Sequence, residues 1–114
     1  MKKAIMTISH IGRSRYIMLN RYSIIMLGVP KYICMLMGND KQSLAFTPCE
    51  EKHAMSFKVP DDFMAAKKSA FRIYSKSFVN KLVKVNNFED EMTHNIEGVY
   101  DEENNCIIFP LKIA

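Results

Sequence analysis

One pattern of residue types occurs twice in this chain, and the duplication limits what it can fold into. The stretch Ile17-Met18-Leu19-Asn20-Arg21-Tyr22-Ser23-Ile24-Ile25-Met26-Leu27 reads as a strand running into a helix. So does Arg72-Ile73-Tyr74-Ser75-Lys76-Ser77-Phe78-Val79-Asn80-Lys81-Leu82. In each, a helix-capping residue (Asn20, Ser75) is followed by a base (Arg21, Lys76). A hairpin-like segment comes next, Cys34 to Pro48 in the first copy and Ile96 to Pro110 in the second, and each closes on an aromatic near a proline. A lead-in strand also repeats loosely, as Ala4-Ile5-Met6-Thr7-Ile8 and Ala54-Met55-Ser56-Phe57-Lys58. A unit of about fifty residues buries too little core to stand alone. Two such units in 114 residues predict one domain over residues 1–114, a built-in pseudo-dimer with repeat one at about 3–48 and repeat two at about 54–111.

Local signals fill in the elements. Lys3 to Ile8 and Arg15 to Leu19 are expected strands around the turn Ser9 to Ser14. The first helix should run from Asn20 to about Leu27, stopped by Gly28 and Pro30. Tyr32 to Met37 and Ser43 to Thr47 should pair around the polar turn Gly38 to Gln42. In the second half, Pro60 to Lys68 reads as a short helix favoured by Asp61 and Asp62 at its start. A strand over Phe71 to Tyr74, a helix from Ser75 to about Val85, and a hairpin of His94 to Tyr100 with Asn105 to Leu111 complete the chain. The class is α+β and strand-rich.

Charge is distributed unevenly. The net charge is +4. From Met1 to Asn39 there are six bases and no acid; from Phe63 to Phe88 there are again six bases and no acid. The acids crowd into Glu50 to Asp62 and Glu89 to Glu103. Such polarity lets one face turn toward phosphate. The longest apolar stretch, Ser23 to Leu36, is interrupted by Gly28, Pro30 and Lys31, far short of the roughly twenty residues of a membrane span. Ser9, His10, Arg13 and Arg15 arrive too early for a signal peptide, so none is expected. Three cysteines, an odd number, fit a reduced cytoplasmic protein.

The order Gly12-Arg13, then Ile17-Met18-Leu19-Asn20-Arg21, then Met26-Leu27-Gly28, then Leu44-Ala45-Phe46-Thr47-Pro48 resembles the AbrB/SpoVT/MazE-type swapped-hairpin family. The resemblance covers about residues 3–48. It continues more loosely over 54–110, where Arg72-Ile73-Tyr74-Ser75-Lys76 is kept and the Gly-Arg turn is lacking. It implies two swapped-hairpin (β-β-α-β-β) halves forming one barrel-like domain. It also implies a bacterial or phage transcriptional regulator, or an antitoxin-like protein, that binds double-stranded DNA as a monomeric pseudo-dimer or a homodimer.

The residues expected on DNA are Arg13, Arg15 and Arg21, whose guanidinium forks suit guanine edges and phosphates. Lys2, Lys3, Lys67, Lys68, Arg72 and Lys76 are expected to give phosphate contacts blind to sequence. Tyr16 and Tyr22 read as half-buried packing, and Met26, Met35 and Met37 as core. A second reading from another class stays open. In it the chain is a protein-binding inhibitor whose acidic residues Glu97, Asp101, Glu102 and Glu103 meet a partner. Cys49 and His53 stand four apart, a spacing that can chelate a metal on a helix, but two ligands are not a site. No phosphate loop or catalytic triad order is present, so neither an enzyme nor a cofactor nor a metal is expected.

Overall fold

The computed structural model describes residues 3–11, 14–38, 43–50, 56–65, 70–85 and 93–111. Nine strands and two helices are described: β1 (Ile5–Ile11), β2 (Ser14–Asn20), α1 (Arg21–Met26), β3 (Tyr32–Met37), β4 (Ser43–Cys49), β5 (Ser56–Lys58), β6 (Ala70–Tyr74), α2 (Lys76–Val85), β7 (Thr93–Glu97), β8 (Val99–Asp101) and β9 (Cys106–Pro110). The α+β, strand-rich class is as the sequence indicates. The strands form two open antiparallel sheets, ordered β6-β2-β1-β7 and β5-β3-β4-β9-β8, and not a closed barrel. Each sheet draws strands from both halves of the chain.

Alternation sets the faces. In the four-stranded sheet, Met6 pairs with Leu19 and Ile8 with Ile17, and all four are fully buried. In the five-stranded sheet, Leu44 pairs with Phe109 and Phe46 with Ile107, again fully buried. These residues form one hydrophobic cluster with Ile24 and Leu27 of the first helical segment and Val79, Leu82 and Val83 of α2. Both helices therefore serve the core side of the sheets. Met35 is buried, while Met26 and Met37 pack against the same cluster.

The first helix starts and stops as its sequence dictates. The Asn20 side chain accepts from the Ser23 amide at 3.1 Å. At the other end the Val29 amide donates to Ile24 O at 3.0 Å and the Gly28 amide to Ile25 O at 2.9 Å. This nested pair is a Schellman ending, and Gly28 takes the left-handed conformation it needs, with φ +86°. In α2 the Ser75 carbonyl accepts the first helical bond, from Val79 N at 2.9 Å.

Two expectations are corrected. The short helix foreseen from Pro60 is instead a pair of successive turns: Phe63 N donates to Pro60 O and Ala65 N to Asp62 O, each at 3.0 Å. Each bond spans three residues, so no α-helical ladder forms over the described part. The last hairpin is not one simple pair either. Its first strand breaks at Gly98, so that β7 lies in one sheet and β8 in the other. A Cβ at Gly98 would stand 2.5 Å from Phe109 Cε1 and 2.8 Å from Ile107 Cγ2, so only glycine fits this corner.

Candidate nucleic-acid interface

The outer face of the four-stranded sheet is formed by residues that alternate with the core positions. Across its middle, Met18 pairs with Thr7 and with Arg72; one row along, Tyr16 pairs with Ser9 and with Tyr74. Thr7 and Ser9 are buried because they are small and sit on a central strand between larger neighbours. Tyr74 is the opposite case, with 68% of its surface exposed on an edge strand. The buried helix residues Ile24, Val79, Leu82 and Val83 belong to the cluster formed by the inward rows.

Three side chains there form a cluster. The Arg72 guanidinium lies 5.0 Å from the centre of the Tyr16 ring, a cation–π distance. Its Nη1 donates to the Tyr74 hydroxyl at 3.5 Å. The Tyr16 and Tyr74 rings are 5.6 Å apart and tilted by 54°. Arg72 therefore covers the half-buried Tyr16 and leaves the Tyr74 ring open. Contact with the Tyr74 hydroxyl raises the guanidinium pKa further above its already high value. A cleft of about 660 Å³ runs from this edge toward β5, lined by Arg72, Tyr74, Phe57, Lys58 and Phe63, with Asp62 also on its wall.

The charge pattern of the sequence becomes spatial here. Strands β1, β2 and β6 all come from acid-free segments and lie side by side. Glu97 on β7 is the acid of this sheet's described strands, and it pairs with Lys3 at 3.5 Å. The five-stranded sheet carries the acidic turn after β8. There the Asn104 side chain donates to Asp101 at 2.7 Å and holds its carboxyl below the usual carboxylate range. Glu102 and Glu103 are exposed in the same turn.

The expected DNA contacts separate into distinct settings. Arg72, Lys76 and Lys3 are exposed on or beside the four-stranded sheet. Arg21 is half-buried, donates to the Met64 carbonyl at 3.1 Å and lies 5.9 Å from the Phe63 ring. It fastens α1 to the turn that follows Pro60. Arg15 pairs with His10, on the face of Ile8 and Ile17. Its strand position thus continues the core row. Lys2, Arg13, Lys67 and Lys68 lie outside the described residues.

Two groupings escape the sequence pattern. Tyr74 is legible as an outward residue of an alternating strand, but its meeting with Tyr16 depends on β6 pairing with β2. The fully buried His10 stacks on His94, with ring centres 5.3 Å apart and planes within 6°. No local spacing foretells a contact between β1 and β7.

On the other sheet, Cys34 is buried on β3 and Cys49 ends β4. Burial pushes the Cys49 thiol up from 9.0 to about 11, and its hydrogen bond with Cys34 adds to the shift. Its thiolate fraction at pH 8 is then about one in a thousand. We expect carboxamidomethylation of Cys49, followed by peptide mass spectrometry, to accelerate nearly tenfold per pH unit up to about pH 10.5. A plateau by pH 9.5 would contradict the raised pKa of this half-buried thiol. The sign for stability follows: the unfolded chain loses this proton first, so the contribution declines as pH rises from 9.0 to about 11.

No protein-family model, curated protein or solved structure matches this chain. The site therefore stands on its own geometry. No helix among the described residues is long and apolar enough to cross a membrane.

Proposed function

We propose that this chain is a nucleic-acid-binding protein, a regulator of the kind the basic segments lead one to expect, and that it meets its partner with the outer face of the β6-β2-β1-β7 sheet. The observation that carries this is an outer sheet face whose strands β1, β2 and β6 hold no acid, set apart from the acidic turn after β8. Three adjacent strands from acid-free segments present Arg72, with Lys76 close by at the start of α2, while the acidic turn belongs to the other sheet. Phosphate contacts release counterions, so affinity should fall steeply with salt.

The test is fluorescence anisotropy with mixed-sequence oligonucleotides, duplex and single-stranded, over a salt series. Binding at micromolar concentration or tighter in low salt is expected. The double reversal Arg72→Glu with Lys76→Glu should weaken it at least tenfold and lower the salt slope by about two. Absence of binding at low salt by either form ends this reading.

A swapped-hairpin pseudo-dimer belongs to the same proposal. It is supported by the way each half of the chain gives strands to both sheets. The second functional reading, a protein-binding inhibitor, draws support from one specific arrangement. Leu36, Ala45, Ile108 and Val99 pair in series across four strands of the other sheet, beside the acidic turn. Leu36, Ile108 and Val99 are exposed. Neutralising Asp101, Glu102 and Glu103 should leave nucleic-acid binding intact and abolish activity only under that second reading.

A further inference from the structure

Resting on the nucleic-acid reading, we infer that the sheet face takes an unpaired strand, with a base stacked on the open ring of Tyr74 and the adjoining phosphate on Arg72. The proposal deepens the site by naming the form of nucleic acid it holds.

The shape of the face favours a single strand. Duplex DNA keeps its base faces stacked inside and offers grooves, which are entered by a helix or a projecting two-stranded ribbon. The described residues here present a sheet surface with an exposed aromatic ring on one edge. Against a duplex that ring has no base to meet. Against a single strand it offers a stacking platform, the usual means of holding unpaired bases without reading their sequence. A large apolar ring at 68% exposure also has surface to remove from water on binding.

Arg72 is placed to assist. It is held at 5.0 Å over Tyr16 and at 3.5 Å from the Tyr74 hydroxyl, so its position beside the stacking ring is set before any ligand arrives. A guanidinium has five N–H donors, and these two contacts leave others for phosphate oxygens. The cleft beside β5 and β6 is lined by Arg72 and Tyr74 and also by Lys58, a second base. Asp62 on that wall opposes a backbone pressed against it. Asn95, exposed on β7 and held by a 2.7 Å bond from the buried Thr7 hydroxyl, supplies polar ground beyond Arg72 that does not depend on base identity.

The experiment uses the full chain and fluorescein-labelled twenty-nucleotide single-stranded DNA of mixed sequence, its RNA counterpart and the matching DNA duplex. At low salt, single strands are expected to bind at least tenfold tighter than the duplex. Tyr74→Ala should weaken single-strand binding about tenfold and leave duplex binding unchanged, while Tyr74→Phe keeps the affinity. The chain has five tyrosines and no tryptophan, so quenching of tyrosine emission by single strands gives a second readout, reduced in Tyr74→Ala. Because Tyr74 is exposed, these variants should fold, which circular dichroism checks. A duplex bound as tightly as a single strand, or a Tyr74→Ala variant with undiminished single-strand affinity, would overturn the stacking proposal and leave nucleic-acid binding standing. Failure of all three nucleic acids to bind would overturn both.

Discussion

Phe109→Ala should lower the stability of the fold by about 3–5 kcal/mol, measured from the urea midpoint at constant slope. The ring is fully buried on β9, the strand that lies between β4 and β8. It meets the Phe46 ring edge-on, with centroids 5.9 Å apart and planes at 76°. Its other side fills the space where a Cβ on residue 98 would stand. Truncation thus opens a cavity between the two sheets that neither a backbone corner nor a neighbouring ring can easily close. A domain of this size has about 5–15 kcal/mol in all, so the variant should be poorly folded at 37 °C. Phe109→Leu should cost clearly less, because most of the volume remains. A loss below about 1 kcal/mol for the alanine variant would mean that the two sheets do not pack through this ring.

The second large effect is expected at Asn20, for a different reason. One side chain serves four groups. It accepts from the Ser23 amide and hydroxyl and from the Ile5 amide at 3.1 Å, and it donates to the Lys3 carbonyl at 2.7 Å. Asn20→Ala therefore removes a helix cap and also the polar partner of the start of β1. A cap alone is worth about 1 kcal/mol, and an amide left without a partner in a half-buried setting costs about as much again. We expect a loss of about 2–3 kcal/mol. Asn20→Asp keeps the acceptors and gives up only the donation to Lys3 O, so it should recover at least half of the loss. If alanine and aspartate prove equivalent in denaturant melts, the capping bonds are not what holds this junction.

Asn20 also shows how far the sequence could be read. Its role as a cap is local, a matter of a short polar side chain before Arg21-Tyr22-Ser23, and so it was legible. So were Gly28 as a helix stop and the first hairpin, expected at Tyr32 to Met37 with Ser43 to Thr47 and found at Tyr32–Met37 with Ser43–Cys49. The turn expected from Ser9 to Ser14 is shorter, since β1 runs on to Ile11 and β2 begins at Ser14. The bond from Asn20 to Lys3 was not legible, because it depends on β1 returning beside β2 in a definite register. The same reason hid the Arg72, Tyr16 and Tyr74 cluster. Alternation alone places Arg72 and Tyr74 on the outside of their strand, and only sheet order brings Tyr16 to them. Arg21 shows the reverse difficulty. A basic residue after a helix cap invites a ligand reading, yet its guanidinium is occupied by the Met64 carbonyl across 43 residues of chain. Gly98 was read as part of a continuous strand, since a strand that changes sheet at a glycine keeps its period on both sides of the break.

The order of strands also says something about the time course of synthesis. β1, the second element from one edge of its sheet, has its outer partner in β7, and β9 stands inside the other sheet with Ile107 and Phe109 fully buried. The four-stranded sheet cannot be completed until Glu97 has left the ribosome, nor the five-stranded sheet until Pro110 has. The apolar faces of the first hairpins must wait in the open until then. Long-range pairing of this kind folds slowly and leaves early segments exposed to sticking. A nascent chain stalled before β9 should therefore be the form of this protein that chaperones hold.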